Sequence, residues 1–158
     1  MKKFVSISFV FMIVLLFTAC SRIPFNGDIE FHDISLTIPE RFIRDSVQSN
    51  NELWVFEHDI YSEYVIVSRK GVTGEVSSVL ADYVEYMKDS GAESGKTLFL
   101  DKDAVLSTYY KGNEFCQEIL FAYNGCFYSV ALRGGTQDGF EEITDTINLI
   151  ELAADRGV

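Results

Sequence analysis

The 158 residues predict an α+β fold: an antiparallel sheet of about six to eight strands packed with two amphipathic helices. Three observations carry this. Two segments repeat apolar residues at helical spacing. The dipeptides Asn124-Gly125 and Gly112-Asn113 each stand between alternating runs, which is the pattern of a tight hairpin and makes the strands around them antiparallel. The composition, 47% apolar and 14% aromatic, supplies a core and excludes a disordered chain.

The first residues read as an address. Met1-Lys2-Lys3 is positive, residues 4–17 are apolar apart from Ser6 and Ser8, and Thr18-Ala19-Cys20 follows. This is the charged, apolar, small-residue order of a secretory signal. The apolar run, about 14 residues, is shorter than the ~20 that span a bilayer as a helix. Residues 16–20, Leu-Phe-Thr-Ala-Cys, also resemble the lipobox of bacterial lipoproteins, with Phe17 where that motif usually has Leu. The resemblance implies cleavage before Cys20 and lipid attachment to it. A plain signal cut near Ala19, or an uncleaved anchor, is the alternative. The domains expected are therefore a lipoprotein signal at 1–19, the lipidated Cys20 and a tether at 20–27, and one globular domain at 28–154. Two or more acyl chains hold a protein stably at a bilayer. The expected location is a bacterial cell membrane, facing away from the cytoplasm.

Charge limits the partners. The whole chain carries −11; without Lys2 and Lys3 it keeps 11 basic and 24 acidic residues, or −13. Phosphate backbones are bound by Lys and Arg, so nucleic acid is not an expected partner. The tether, residues 21–27, reaches at most about 25 Å. An acidic domain held that close to an anionic surface is repelled within about a Debye length, ~8 Å at physiological salt.

Along the domain, residues 29–31 and 34–38 read as two short strands, the second ended by Pro39. Residues 40–51 read as a polar loop. Residues 53–57 and 63–69 read as a strand pair. Val76, Val79, Leu80, Tyr83, Val84 and Met87 then form the stripe of a helix of about 15 residues, ended at Ser90-Gly91. Residues 97–100 and 103–111 read as strands around a turn at Asp101-Lys102. Residues 114–123 and 126–133 complete the meander. After Gly134-Gly135, Asp138 with Glu141 suggests a capping box, and Phe140, Ile143, Ile147 and Ile150 line a closing helix running to about Ala154.

Two-residue turns set the register. Partners across Asn124-Gly125 sum to 249, and those across Gly112-Asn113 sum to 225. Lys111 then stands opposite Glu114, as a cross-strand ion pair. One face carries Phe115, Ile119, Phe121, Tyr128, Val130 and Leu132 and must be the core. The other carries Val105, Leu120 and Phe127 at one end and Tyr109, Glu118, Ser129 and Arg133 at the other. Glu118 and Arg133 are too little charge for a fully solvated face. Partial cover is therefore expected, from the other helix or from the loop after Pro39, which favours a sandwich with helices on both sides over a two-layer fold. Tyr109, Glu118, Ser129 and Arg133 form the candidate ligand- or partner-binding site: an aromatic wall with one acid, one hydroxyl and one cation. The bland reading is a polar patch with Glu118 and Arg133 as a diagonal ion pair.

These segments carry a family resemblance. Residues 33–42, DISLTIPERF, are similar to the opening of PsbP-like proteins. Residues 123–130, YNGCFYSV, with the helical stripe from Phe140 to Ile150, resemble their last hairpin and closing helix. The resemblance spans most of residues 29–152. It implies an α-β-α sandwich on an antiparallel sheet. Proteins of this kind include a lumenal photosystem II subunit, bacterial lipoproteins of unknown role and a fold relative that binds a small GTPase. The resemblance implies binding and scaffolding and not catalysis, and it carries no site residue over.

Other chemistry finds little support. Cys116 and Cys126 fall on opposite faces of the hairpin, so two free thiols are expected and no disulfide. His32 and His58, one at a strand end and one in a turn, lack metal-ligand spacing. Asp101-Lys102-Asp103 lacks the Gly and closing Glu of a calcium loop. Glu57 and Asp59 could pair as acid and base for a hydrolase, though any acidic chain offers such pairs. Trp54 reads as core. No metal or cofactor is expected. The sequence thus points to a membrane-anchored lipoprotein that binds a protein partner without catalysis. The alternative is a lipoprotein that binds a small ligand or cation.

Overall fold

A computed structural model of the chain describes residues 27–58 and 60–151. Cys20, the signal and most of the tether lie outside them, as do Asp59 and residues 152–154. The elements run β1 (Gly27–Phe31), β2 (Ile34–Ile38), β3 (Phe42–Asp45), β4 (Leu53–His58), β5 (Tyr64–Gly71), α1 (Val76–Asp89), β6 (Glu93–Phe99), β7 (Lys102–Lys111), β8 (Glu114–Tyr123), β9 (Cys126–Arg133), α2 (Gln137–Thr144) and β10 (Asn148–Leu149). They build an antiparallel sheet of seven strands, in the order β3-β4-β5-β9-β8-β7-β6, and a smaller one ordered β1-β2-β10.

The topology explains the position of α1. Strand β5 lies mid-sheet, beside β9, whereas the next strand, β6, forms the far edge. The chain must cross one face to get there, and α1 is that crossing. Its apolar stripe buries Leu80 against Val105 and Phe127, with Tyr83, Val84, Leu120 and Ala122 packed around them. The helix therefore covers the second face, as the shortage of charge there required. Its end is closed by Gly91, at φ 87°. Gly91 N donates to Lys88 O and Ala92 N to Met87 O, the paired bonds that a left-handed residue after a helix allows.

The opposite face holds the main core. Ile119, Phe121, Tyr128, Val130 and Leu132 pack there against Phe31, Ile34, Leu36 and Ile38 of the small sheet and Phe140 and Ile143 of α2. Helices thus flank the large sheet on both sides, and the small sheet shares the second layer with α2. Both predicted registers hold: Tyr123 pairs with Cys126, and Lys111 with Glu114. Asn124 and Gly125, at φ 46° and 72°, make the turn in which both central residues are left-handed.

Four local expectations are corrected. The segment 40–51 is not all loop: residues 42–45 form edge strand β3, because Phe42, fully buried, pairs with His58. The β6–β7 turn is Leu100-Asp101, one residue earlier than expected, since Phe99 pairs with Lys102. The closing helix is capped by Thr136, whose Oγ1 accepts from Gly139 N at 3.1 Å, and not by Asp138, which lies in its first turn. It also stops at Thr144. Thr37 N of β2 donates to Thr146 Oγ1, and Asn148–Leu149 pair with β2, so a free sheet edge takes over the backbone bonds a longer helix would have used.

Candidate functional site

The registers place the predicted site residues in successive rows under α1. Tyr109, Cys116 and Arg133 are neighbours in one row; Ser107, Glu118 and Ala131 form the next; Leu120 and Ser129 pair in the third. All of these side chains share the face that α1 covers, so the helix decides which of them meet.

Glu118 is the centre. Tyr83, from α1, donates its hydroxyl to Glu118 Oε2 at 3.0 Å. Ser129 donates to Oε1 of the same carboxylate. Beside them the hydroxyls of Ser107, fully buried, and Ser94 share a hydrogen bond of 2.8 Å. Three of the four predicted residues are thereby gathered: Tyr109 and Glu118 at the end of α1, and Ser129 on the carboxylate. Burial raises the pKa of the Tyr109 hydroxyl, and the negative charge of Glu118 adds to the effect. Tyr83 is pushed up strongly for the same reasons, burial first, then the charge and hydrogen bond of Glu118.

Arg133 departs from this group. It does not pair with Glu118. Its Nε donates to Glu114 Oε2 at 2.7 Å, and its guanidinium lies 5.8 Å from the Tyr64 ring. Glu114 and Glu118 are both diagonal to Arg133, one on either side of Cys116, which it directly opposes. Glu118 is already served by two hydroxyls, Tyr83 from the helix and Ser129 from the neighbouring strand β9, and Arg133 turns outward. Glu114, expected to pair with Lys111, is drawn to Arg133 instead.

Sequence reasoning misses two residues, Tyr83 and Tyr86. By spacing alone Tyr83 is one more member of an apolar stripe. A tyrosine in such a stripe brings a hydroxyl that needs a partner once buried, and that is the available signal. With Tyr109, Glu118, Met87, Ser90 and Ala92 these two line a cavity of about 310 Å³, between the C-terminal half of α1 and strands β7 and β8. The Tyr83 and Tyr86 rings lie 6.3 Å apart.

The remaining candidates hold structural posts. Cys116 and Cys126 are both free and buried, Cys126 in the main core and Cys116 on the α1 side. Burial raises the Cys116 pKa, which disfavours its thiolate. His58 Nδ1 accepts from Ile60 N and Tyr61 N and so caps its turn. His32 Nε2 is 2.6 Å from Asn51 O. Trp54 packs against the core, with the Arg44 guanidinium 3.9 Å over its ring. Among the described residues no group of three or more His, Cys, Asp or Glu could hold a metal ion, and no helix is long and apolar enough to cross a membrane.

The fold has known counterparts. The chain is similar to the solution structure of cyanobacterial PsbP (CyanoP) from Synechocystis sp. PCC 6803, with TM-score 0.54 and 12% identity over 82% of this chain and 96% of that one. It is also similar to a crystal structure from Bacteroides thetaiotaomicron VPI-5482, with TM-score 0.52 and 12% identity. That match covers 80% of this chain, which spans about half (50%) of the other's length. No family model matches the chain, and no curated protein matches it in sequence. At this identity the likeness is one of fold: the chain has a PsbP-like fold.

Proposed function

We propose that this chain is a bacterial lipoprotein, anchored through Cys20, whose PsbP-like domain works outside the cytoplasm as a binding module and not as an enzyme. The anchor reading rests on the order of charge, apolar run, small residues and Cys20 at the start of the sequence. The binding reading rests on one observation above all. Both oxygens of Glu118 accept hydroxyl hydrogens, from Tyr83 and Ser129, so the one acid of the candidate site is engaged in holding helix to sheet, which favours binding over acid–base catalysis. The PsbP-like fold supports a protein partner in the same direction, through what the resemblance implies. Labelling cells with a clickable palmitate tests the anchor. The band should label, and Cys20→Ser should lose both label and membrane attachment; a dark band would sink the reading. Crosslinking on intact cells should then recover a partner, and its failure across growth conditions would count against scaffolding.

A second reading, a small-ligand binding protein, is favoured by the cavity beside Tyr83, Tyr86 and Tyr109. Its test is a thermal-shift screen of metabolites, since a ligand at 100 times its Kd stabilises by about 2.7 kcal/mol.

A further inference from the structure

We propose that the cavity between the end of α1 and strands β7 and β8 takes a small organic cation, an alkylammonium head, with methylated heads preferred. This rests on the small-ligand reading above and names the class of ligand. Three tyrosines, 83, 86 and 109, line the space with Met87 and one acid, Glu118, and no Lys or Arg is among the lining residues. Aromatic rings attract cations through their negative faces, and rings grouped around a small space are how quaternary ammonium ions are recognised. Methyl groups on nitrogen suit such rings because they spread the charge over an apolar surface.

The charge of the site is unbalanced toward a cation. Arg41, Arg69 and Arg133 pair with Glu142, Glu52 and Glu114. Among the described residues none of the ion pairs involves Glu118, whose partners are the neutral hydroxyls of Tyr83 and Ser129. Two hydroxyls leave a carboxylate with accepting capacity, because it offers about four lone-pair sites. The cavity also lies at the C-terminal end of α1, beside Tyr86, Met87 and Ser90. That end of a helix carries about half a negative charge, which Lys88 in the last turn partly offsets. The raised pKa values of Tyr83 and Tyr109 agree with this, since Glu118 contributes to both after burial. The volume, about 310 Å³, is at the small end of ligand pockets, which begin near 300 Å³. It admits a head and a short stem.

The test uses the full chain in a maltoside detergent, which carries no ammonium group. Calorimetry compares choline, tetramethylammonium and 3,3-dimethyl-1-butanol, the neutral isostere of choline, at one ionic strength. Both cations should bind saturably, and the isostere about tenfold more weakly or not at all, the loss expected when a cation–π site loses its cation. Glu118→Gln should weaken choline about tenfold, by removing the charge that assists it. Tyr86 is 65% exposed, so Tyr86→Ala keeps the fold. It should weaken choline by roughly threefold to fivefold, as for an exposed cation–π contact. Equal affinity for the isostere, or unchanged choline affinity in both variants, overturns the cation proposal and leaves the small-ligand reading standing. If none of the three probes binds while the metabolite screen finds a ligand of another class, the proposal alone falls. If neither finds one, both fall, and palmitate labelling still decides the anchor.

Discussion

Tyr83 on α1 donates its hydroxyl to Glu118 on β8, 35 positions along the chain, and this bond joins the helix to the face it covers. At the other end of the helix Lys96 Nζ of β6 donates to Ser77 O at 3.3 Å, and between the two the helix holds by apolar contacts, among them Leu80 against Val105 and Phe127. Hydrophobic contact is non-directional. The Tyr83–Glu118 bond has a direction, so it fixes the seat of α1 on the sheet.

Tyr83→Phe removes the hydroxyl and keeps the ring. A hydrogen bond to a charged group contributes about 1.5–3 kcal/mol, and partial exposure puts this one near the lower end, so a loss of about 1–2 kcal/mol is expected. Urea unfolding of both proteins measures it; no change would mean that packing alone seats the helix.

The same tyrosine sets an alkaline limit. Free tyrosines ionise near pH ~10, whereas Tyr83 and Tyr128, the latter donating to Asp33 at 2.7 Å, are held protonated well above that, chiefly by burial. Above pH ~10 the unfolded chain loses protons that the folded one keeps, so stability present below that pH falls as pH rises. Denaturation at pH 8 and near pH 11 should show the fall, and Tyr83→Phe should lessen it. A flat profile would contradict the assignment.

Gly134→Ala should be among the most damaging single changes. Gly134 has φ 78°, and a Cβ there would lie 2.1 Å from Ser62 O. Its N–H also donates to Phe115 O at 2.7 Å, so the backbone cannot easily move away. The left-handed conformation alone costs an L residue about 1–2 kcal/mol, and the clash adds to it. A melting temperature within a degree of the parent would show that the turn yields.

Arg133→Ala, by contrast, should cost less than about 1 kcal/mol, the range of exposed ion pairs. Its side chain and that of Glu114 are about a third exposed, at 36% and 33%. Ligand affinity at the Glu118 cavity should not move. A large effect on binding would restore Arg133 to the site.

The buried thiols give a chemical count. Neither Cys116, 1% exposed, nor Cys126, 6%, should react with a bulky thiol reagent in buffer. In denaturant both should react. A lipidated Cys20 leaves two titratable thiols; an unmodified full chain would show three.

Much of this arrangement is legible in local sequence, for a physical reason. A two-residue turn leaves a hairpin one register, and the pleat then assigns every side chain to a face. Asn124-Gly125 and Gly112-Asn113 therefore place Tyr109, Glu118, Ser129 and Arg133 on one face by backbone geometry alone. The same local logic fails at residues 145–150. There Ile147 and Ile150 continue the helical spacing, yet the open edge of β2, more than a hundred positions away, supplies the backbone partners. Strand β3 is hidden likewise, since its pairing depends on His58 and its neighbours and not on its own alternation.

What the sequence determined by itself was parity: which residues of the β7–β8–β9 meander share a face, where its two Asn/Gly hairpin turns fall, and which face is apolar enough to be core. These depend on backbone geometry over a few residues. Only the tertiary structure decided the partners. Arg133 had two acids within diagonal reach, and the Tyr83 hydroxyl needed a partner that spacing alone does not name. The crossing of α1 from β5 to the far edge brought Tyr83 to Glu118, left Arg133 to Glu114 and opened the cavity at the helix end. A long-range crossing cannot be read from spacing, because its direction is set by the packing of surfaces that meet only after the chain has folded.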